Sequence, residues 1–134
     1  MATVTKDAST LPLSDMLYEV IDGQIVEKAR LDTYSEFLVN DLGDAVSLFL
    51  ERSPIGRSYM HMPIDFTEQV GNIRRPEVCF IPEHRWPRRK RLPSTEGWKI
   101  VPEVAAEFVS PDHTAHEVLD KVAEYFQVDR KSVV

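Results

Sequence analysis

"VPEVAAEFVSPDHTAHEVLDKVAEYF" (residues 101–126) decides the fold, because Glu107 interrupts a run of Val104, Ala105, Ala106, Phe108 and Val109 that otherwise reads as a buried strand. Burying an ionised carboxylate costs several kcal/mol unless something compensates it. Glu107 therefore implies either a wet strand face or a partner, whether a cation, a metal or a cluster of donors. Pro111 and Asp112 stop the strand, which is read as 103–109. The spacing beyond them predicts a helix over 114–127, with Val118, Leu119, Val122, Tyr125 and Phe126 facing inward.

Strand alternation sharpens the question. In 103–109, Ala105, Glu107 and Val109 share one face and Val104, Ala106 and Phe108 the other. A second strand, 75–81, puts Glu77, Cys79 and Ile81 opposite Pro76, Val78 and Phe80. If the two strands adjoin, Glu77 and Glu107 approach each other. Facing carboxylates repel unless one is protonated or a cation lies between them. A hard divalent cation such as magnesium suits such an oxygen site. The plainer alternative is a half-exposed Glu, or one paired with Arg74 or Arg75. Lys121 is equally two-sided. Glu117 at i−4 and Glu124 at i+3 suit a solvated helix salt bridge, whereas its flanks, Val118, Val122 and Tyr125, set it beside the buried stripe and within reach of Glu107.

Further out, "LYEVIDGQIVEK" places β-prone residues around Asp22-Gly23, a hairpin signal, with strands near 17–21 and 24–28. Tyr34, Phe37, Leu38, Leu42, Ala45, Val46 and Phe49 recur at helical spacing, with Asp32 or Thr33 as N-cap and Pro54 and Gly56 as the stop. "SYMHMPIDFT" reads as extended, Gly71-Asn72 as a turn, and 82–100 as a long charged, Pro-rich loop. The order β-β-α-β-β-β-α indicates a sheet with helices packed on it.

At 134 residues the chain suits one domain, read as 11–134 after a polar lead-in at 1–10. No apolar run is long enough to span a bilayer. The start lacks the apolar core of a signal peptide, so the cytoplasm is the expected compartment. A net charge of −6 argues against coating nucleic acid by bulk attraction, but a local contact surface needs only local charge. "HRWPRRKR" supplies one in Arg85, Arg88, Arg89, Lys90 and Arg91, with Trp86 as a stacking plane. A solvated loop is the alternative. His113 and His116 lack the further ligands that zinc needs. His61 and His84 read as surface or loop residues, and Cys79 as an inert core thiol.

Four stretches, "YEVIDGQIVE" (18–27), "RRPEVCFI" (74–81), "PEVAAEFVSP" (102–111) and "KVAEYFQV" (121–128), together resemble the Uma-two family of the restriction-endonuclease-like PD-(D/E)xK superfamily. The resemblance implies an α/β fold with a central mixed β-sheet flanked by α-helices. It also implies a DNA endonuclease that uses Mg2+ (or Mn2+). Glu77 matches the family's Pro-Asp acid, Glu107 the glutamate of its Glu-Val-x-Ser motif, and Lys121 its helix lysine. Glu77 and Glu107 would be metal ligands, all three catalytic, and Glu19 a further acid. Val109 stands where the superfamily's usual lysine would be.

The chain departs from the family pattern at several points. Glu77 replaces Asp, and Thr33 and Tyr34 stand near where members carry His. The chain ends at "RKSVV", where relatives continue with more sheet, so the domain reads as C-terminally shortened, with an edge that invites a homodimer. The alternative function is a nuclease fold that has lost catalysis and serves as a binding module.

Overall fold

The computed structural model describes residues 5–7, 17–28, 30–109, 111 and 113–128. The expected stop at Asp112 and the "RKSVV" end lie outside them. Among the described residues, eight strands and two helices follow in order: β1 (Thr5–Asp7), β2 (Tyr18–Ile21), β3 (Gln24–Glu27), α1 (Thr33–Arg52), β4 (Gly56–Met60), β5 (Ile64–Phe66), β6 (Asn72–Arg74), β7 (Val78–Pro82), β8 (Val104–Ala106) and α2 (Ala115–Val128). The α/β class holds. The described strands form two antiparallel sheets, ordered β1-β3-β2-β6-β5 and β4-β7-β8. Thr5–Asp7, within the stretch read as a lead-in, pairs with β3.

Asp22-Gly23 makes the expected hairpin turn, with φ of 52° and 79°, the left-handed values that Asp and Gly tolerate. Of the stretch read as a single strand, 75–81, only the part from Val78 onward is strand, in β7. Residues 75–77 carry the chain from β6 to β7, because Pro76 offers no N–H to continue a ladder. A second crossing, from β4 to β5, turns at His61, whose φ is 55°. The two crossings are bonded to each other. The His61 amide donates to the Glu77 carbonyl at 3.1 Å, and Arg75 Nη1 donates to the His61 carbonyl at 2.8 Å. His61, in the loop between β4 and β5 where it was expected, is thus a half-buried joint.

Asp32 caps α1, accepting from the Ser35 amide at 2.7 Å. The buried face of α1 runs through Val39, Gly43 and Leu50, with Val39 on Val78 and Ala106. Tyr34, 68% exposed, Phe37 and Phe49 lie on the outer side, so the inward stripe expected from their spacing is displaced around the helix. In α2 a similar shift exposes Leu119 (66%) and Phe126 while burying Glu124 beside Tyr125. The main core gathers Ile64, Phe66, Cys79, Ile81, Trp98, Ala105 and Tyr125. Cys79 is buried there, its thiol pushed up to about 12 by desolvation. No helix among the described residues is long and apolar enough to cross a membrane.

Candidate active site

The site forms where the chain passes from the first sheet to the second. On the first sheet, register places its groups on one face. Val20 pairs with both Ile25 and Ile73, so Glu19 stands beside Val26 on one side and Arg74 on the other. Lys28 follows two residues after Val26 and keeps its phase, and its amide extends the ladder to the Leu17 carbonyl at 3.0 Å. On the second sheet Val78 pairs with Ala106, so the next step outward sets Glu77 opposite Glu107. α2 covers the seam with Lys121, Glu124 and Tyr125, one helical turn of side chains.

Glu77, Glu107, Lys121 and Glu19 are brought together. Lys121 Nζ lies 3.5 Å from Glu107 Oε2 and 3.3 Å from Glu19 Oε1. Its solvated pairing with Glu117 does not form. Glu117 instead accepts from the Thr114 amide at 3.0 Å while Thr114 Oγ1 accepts from the Glu117 amide at 3.1 Å, a capping box that starts α2. The Tyr125 hydroxyl donates to Glu107 Oε1 at 2.7 Å, and the Phe108 amide donates to Glu77 Oε2 at 3.2 Å.

Sequence reasoning missed Lys28. Its Nζ lies 2.8 Å from Glu77 Oε1, 2.6 Å from the Arg75 carbonyl and 3.7 Å from Glu107 Oε2, with the two side chains of the Lys28–Glu77 pair only 9% and 4% exposed. The signal was present, because the two-residue turn at Asp22-Gly23 fixes Lys28 on the face of Glu19. Glu124 was also missed. Its carboxylate is gripped by Arg74 Nε and Asn72 Nδ2, and Arg74 Nη1 reaches Glu19 Oε1 at 3.3 Å. Neither Arg74 nor Arg75 pairs with Glu77 or Glu107. Arg75 staples the crossing, donating to the Tyr18 carbonyl at 3.1 Å and lying over the Tyr18 ring.

The two facing carboxylates are pushed apart electrostatically. Burial, partly opposed by Lys28, raises the pKa of Glu107, and its contact with Glu77 adds to the rise. Burial also acts on Glu77, but the contact with Glu107, the Lys28 ammonium and the Phe108 amide outweigh it and lower its pKa. Burial disfavours the charge on Lys28, yet Glu107, Glu19 and Glu77 together raise its pKa.

Among the described residues no group of three or more His, Cys, Asp or Glu side chains forms a metal cage. His116 Nε2 instead faces Asp120 at 3.3 Å, within α2. The oxygens around Lys28 Nζ, from Glu77, Glu107 and the Arg75 carbonyl, are nonetheless a hard donor set suited to magnesium or manganese, and the ammonium marks a seat for positive charge.

The basic segment lies elsewhere. Glu77 precedes β7 and Pro82 ends it, so roughly 17 Å of strand separates the acidic seam from the start of that segment. Arg85 anchors the loop through the Val101 carbonyl at 2.7 Å. Trp86 packs edge-on against Trp98 and carries Lys90 over its ring, 4.0 Å from the centroid. Arg88, Arg89 and Arg91 are exposed, with Arg88 facing Glu83 at 3.5 Å and Arg91 donating to Ser94 Oγ at 3.3 Å. Val109, two residues after Glu107, is exposed.

A sequence model of the Uma2 family, described as "Putative restriction endonuclease", matches residues 7–131. The fold is similar to the crystal structure of "a putative nuclease belonging to DUF820" from Anabaena variabilis, with a TM-score of 0.72 and 18% identity. That match covers 89% of this chain and 65% of the other, so the chain spans less than two-thirds of its neighbour's length. No curated protein sequence matches.

Proposed function

The chain belongs to the Uma2 family, and from that membership we propose that it is a magnesium- or manganese-dependent nuclease acting on DNA phosphodiester bonds. The observation carrying this reading is the meeting of Glu77 and Glu107 across β7 and β8, with Lys121 of α2 on the second carboxylate. Glu77, Glu107 and the Arg75 carbonyl would hold the ion. A divalent cation bound there supplies Lewis acidity and offsets phosphate charge.

The chain's own groups do the rest. Tyr125 fixes one oxygen of Glu107, and the Phe108 amide fixes one oxygen of Glu77. Lys121, its side chain 18% exposed, holds its ammonium where the phosphate's growing negative charge would face it. Glu19 is saturated by Arg74, Lys121 and the Arg75 amide, so it acts as a positioning residue for Lys121. Arg88, Arg89 and Arg91 would contact the DNA backbone away from the cut. The homodimer belongs to the same proposal. β8 is an outer strand of its sheet and pairs, among the described residues, with β7 alone, so a monomer in light scattering contradicts it.

The test is nicking of supercoiled plasmid with Mn2+, Mg2+ or EDTA. Cleavage is expected only with a divalent ion, and Glu107→Gln should lower its rate by about 100-fold or more. Cleavage that survives both Glu107→Gln and Lys121→Ala overturns the assignment. The second reading, a nuclease fold without catalysis, is favoured by the Lys28 ammonium lodged between the carboxylates. A folded protein that binds neither ion would establish it.

A further inference from the structure

We infer that Lys28 is a built-in competitor for the divalent ion, its ammonium holding the seat between Glu77 and Glu107 and having to leave before an ion enters. The inference rests on the metal-site reading of those two carboxylates. It identifies what regulates the site.

Three observations carry it. First, Lys28 Nζ contacts Glu77 Oε1 and the Arg75 carbonyl at 2.8 and 2.6 Å, and Glu107 Oε2 lies 3.7 Å away. An ion bonded to the same oxygens at about 2.1 Å would overlap that nitrogen. Second, Lys121 does not hold this seat, since it shares only Glu107 Oε2 with Lys28 and otherwise reaches Glu19 rather than Glu77 or the Arg75 carbonyl. Third, charge favours exchange over addition. Glu19, Glu77, Glu107 and Glu124 face Lys28, Arg74 and Lys121, one negative charge in excess when all are ionised. Replacing the Lys28 ammonium with a divalent ion makes the cluster neutral, whereas adding the ion beside it leaves an excess positive charge. A lysine on a four-carbon stem at the end of β3 can withdraw by side-chain rotation alone.

The experiment is calorimetric titration of Mn2+ into the wild-type protein and into Lys28→Met, Lys28→Gln and Lys28→Arg. Removing the charge should tighten Mn2+ binding by about tenfold or more, while Lys28→Arg should bind no tighter than wild type. Equal affinity in wild type, Lys28→Met and Lys28→Gln overturns the inference and leaves the metal site standing. No binding by any of the four proteins overturns both. If the neutral variants do not fold, the wild type still decides. Acylation of Lys28 by succinimidyl acetate, read by peptide mass spectrometry, should rise several-fold at saturating Mn2+ over EDTA. Unchanged labelling with Mn2+ bound overturns the inference.

Discussion

Glu77 and Glu107 face each other one step beyond the last paired residues of β7 and β8, Val78 and Ala106, at the point where the chain enters the second sheet. This answers why a carboxylate follows directly on an apolar strand. Glu107 is satisfied by Tyr125 and Lys121, with Lys28 nearby, and its proton affinity is raised by burial.

Stability in EDTA should carry the signature of that pair. The folded pKa of Glu107 lies above its unfolded value, so its contribution is full at low pH and is lost as pH rises through the folded value. Glu77 has the opposite sign, contributing above its unfolded pKa and losing that as pH falls through the lowered one. Glu107→Gln imitates the protonated acid and removes the first loss. Its urea midpoint should gain on wild type between pH 5 and pH 8; a pH-independent difference contradicts the assignment.

Glu77→Gln leaves the Lys28 ammonium buried without its main partner. It should destabilise the metal-free protein by about 3 kcal/mol in urea denaturation, and adding Lys28→Met should restore part of that. Additive losses in the double variant would show that the two side chains do not depend on each other.

Glu124 ties α2 to β6 through Asn72 and Arg74. Glu124→Ala should cost about 3 kcal/mol, and a cycle with Arg74→Ala should show coupling of about 1 kcal/mol or more. A loss below about 0.5 kcal/mol, typical of exposed positions, would place Glu124 in solvent.

If Arg89 and Arg91 touch DNA phosphates, replacing each with Ala should lower the slope of log affinity against log salt by about 1. Arg85→Ala should instead loosen the loop, because that guanidinium holds the Val101 carbonyl. An unchanged salt slope in Arg89→Ala and Arg91→Ala marks the segment as a solvated loop.

Much of this was legible in the chain. The Asp22-Gly23 turn, the Asp32 cap and the strand leading to Glu107 follow from local chemistry. Alternation put Glu77 and Glu107 within reach of each other, though β8 is shorter than the strand expected and β7 begins only at Val78. The break at 75–77 was hidden, since a Pro at a strand start and a chain changing sheets look alike in sequence. Helical spacing gave the two helices but not their inward faces. In α1 the small Gly43 lets β4 approach, and an added Cβ would lie 2.8 Å from Met60 Sδ. That draws the buried face away from the larger Tyr34 and Phe37. Glu124 looked like a solvent-side partner of Lys121, and only the packing of α2 over Asn72 and Arg74 reverses it.

Crystals grown with Mn2+ test the central claim most directly. An anomalous peak is predicted between Glu77 and Glu107, about 2.1 Å from their oxygens, with the Lys28 ammonium displaced from its seat. A peak bound elsewhere, or no peak in crystals saturated with Mn2+, contradicts it.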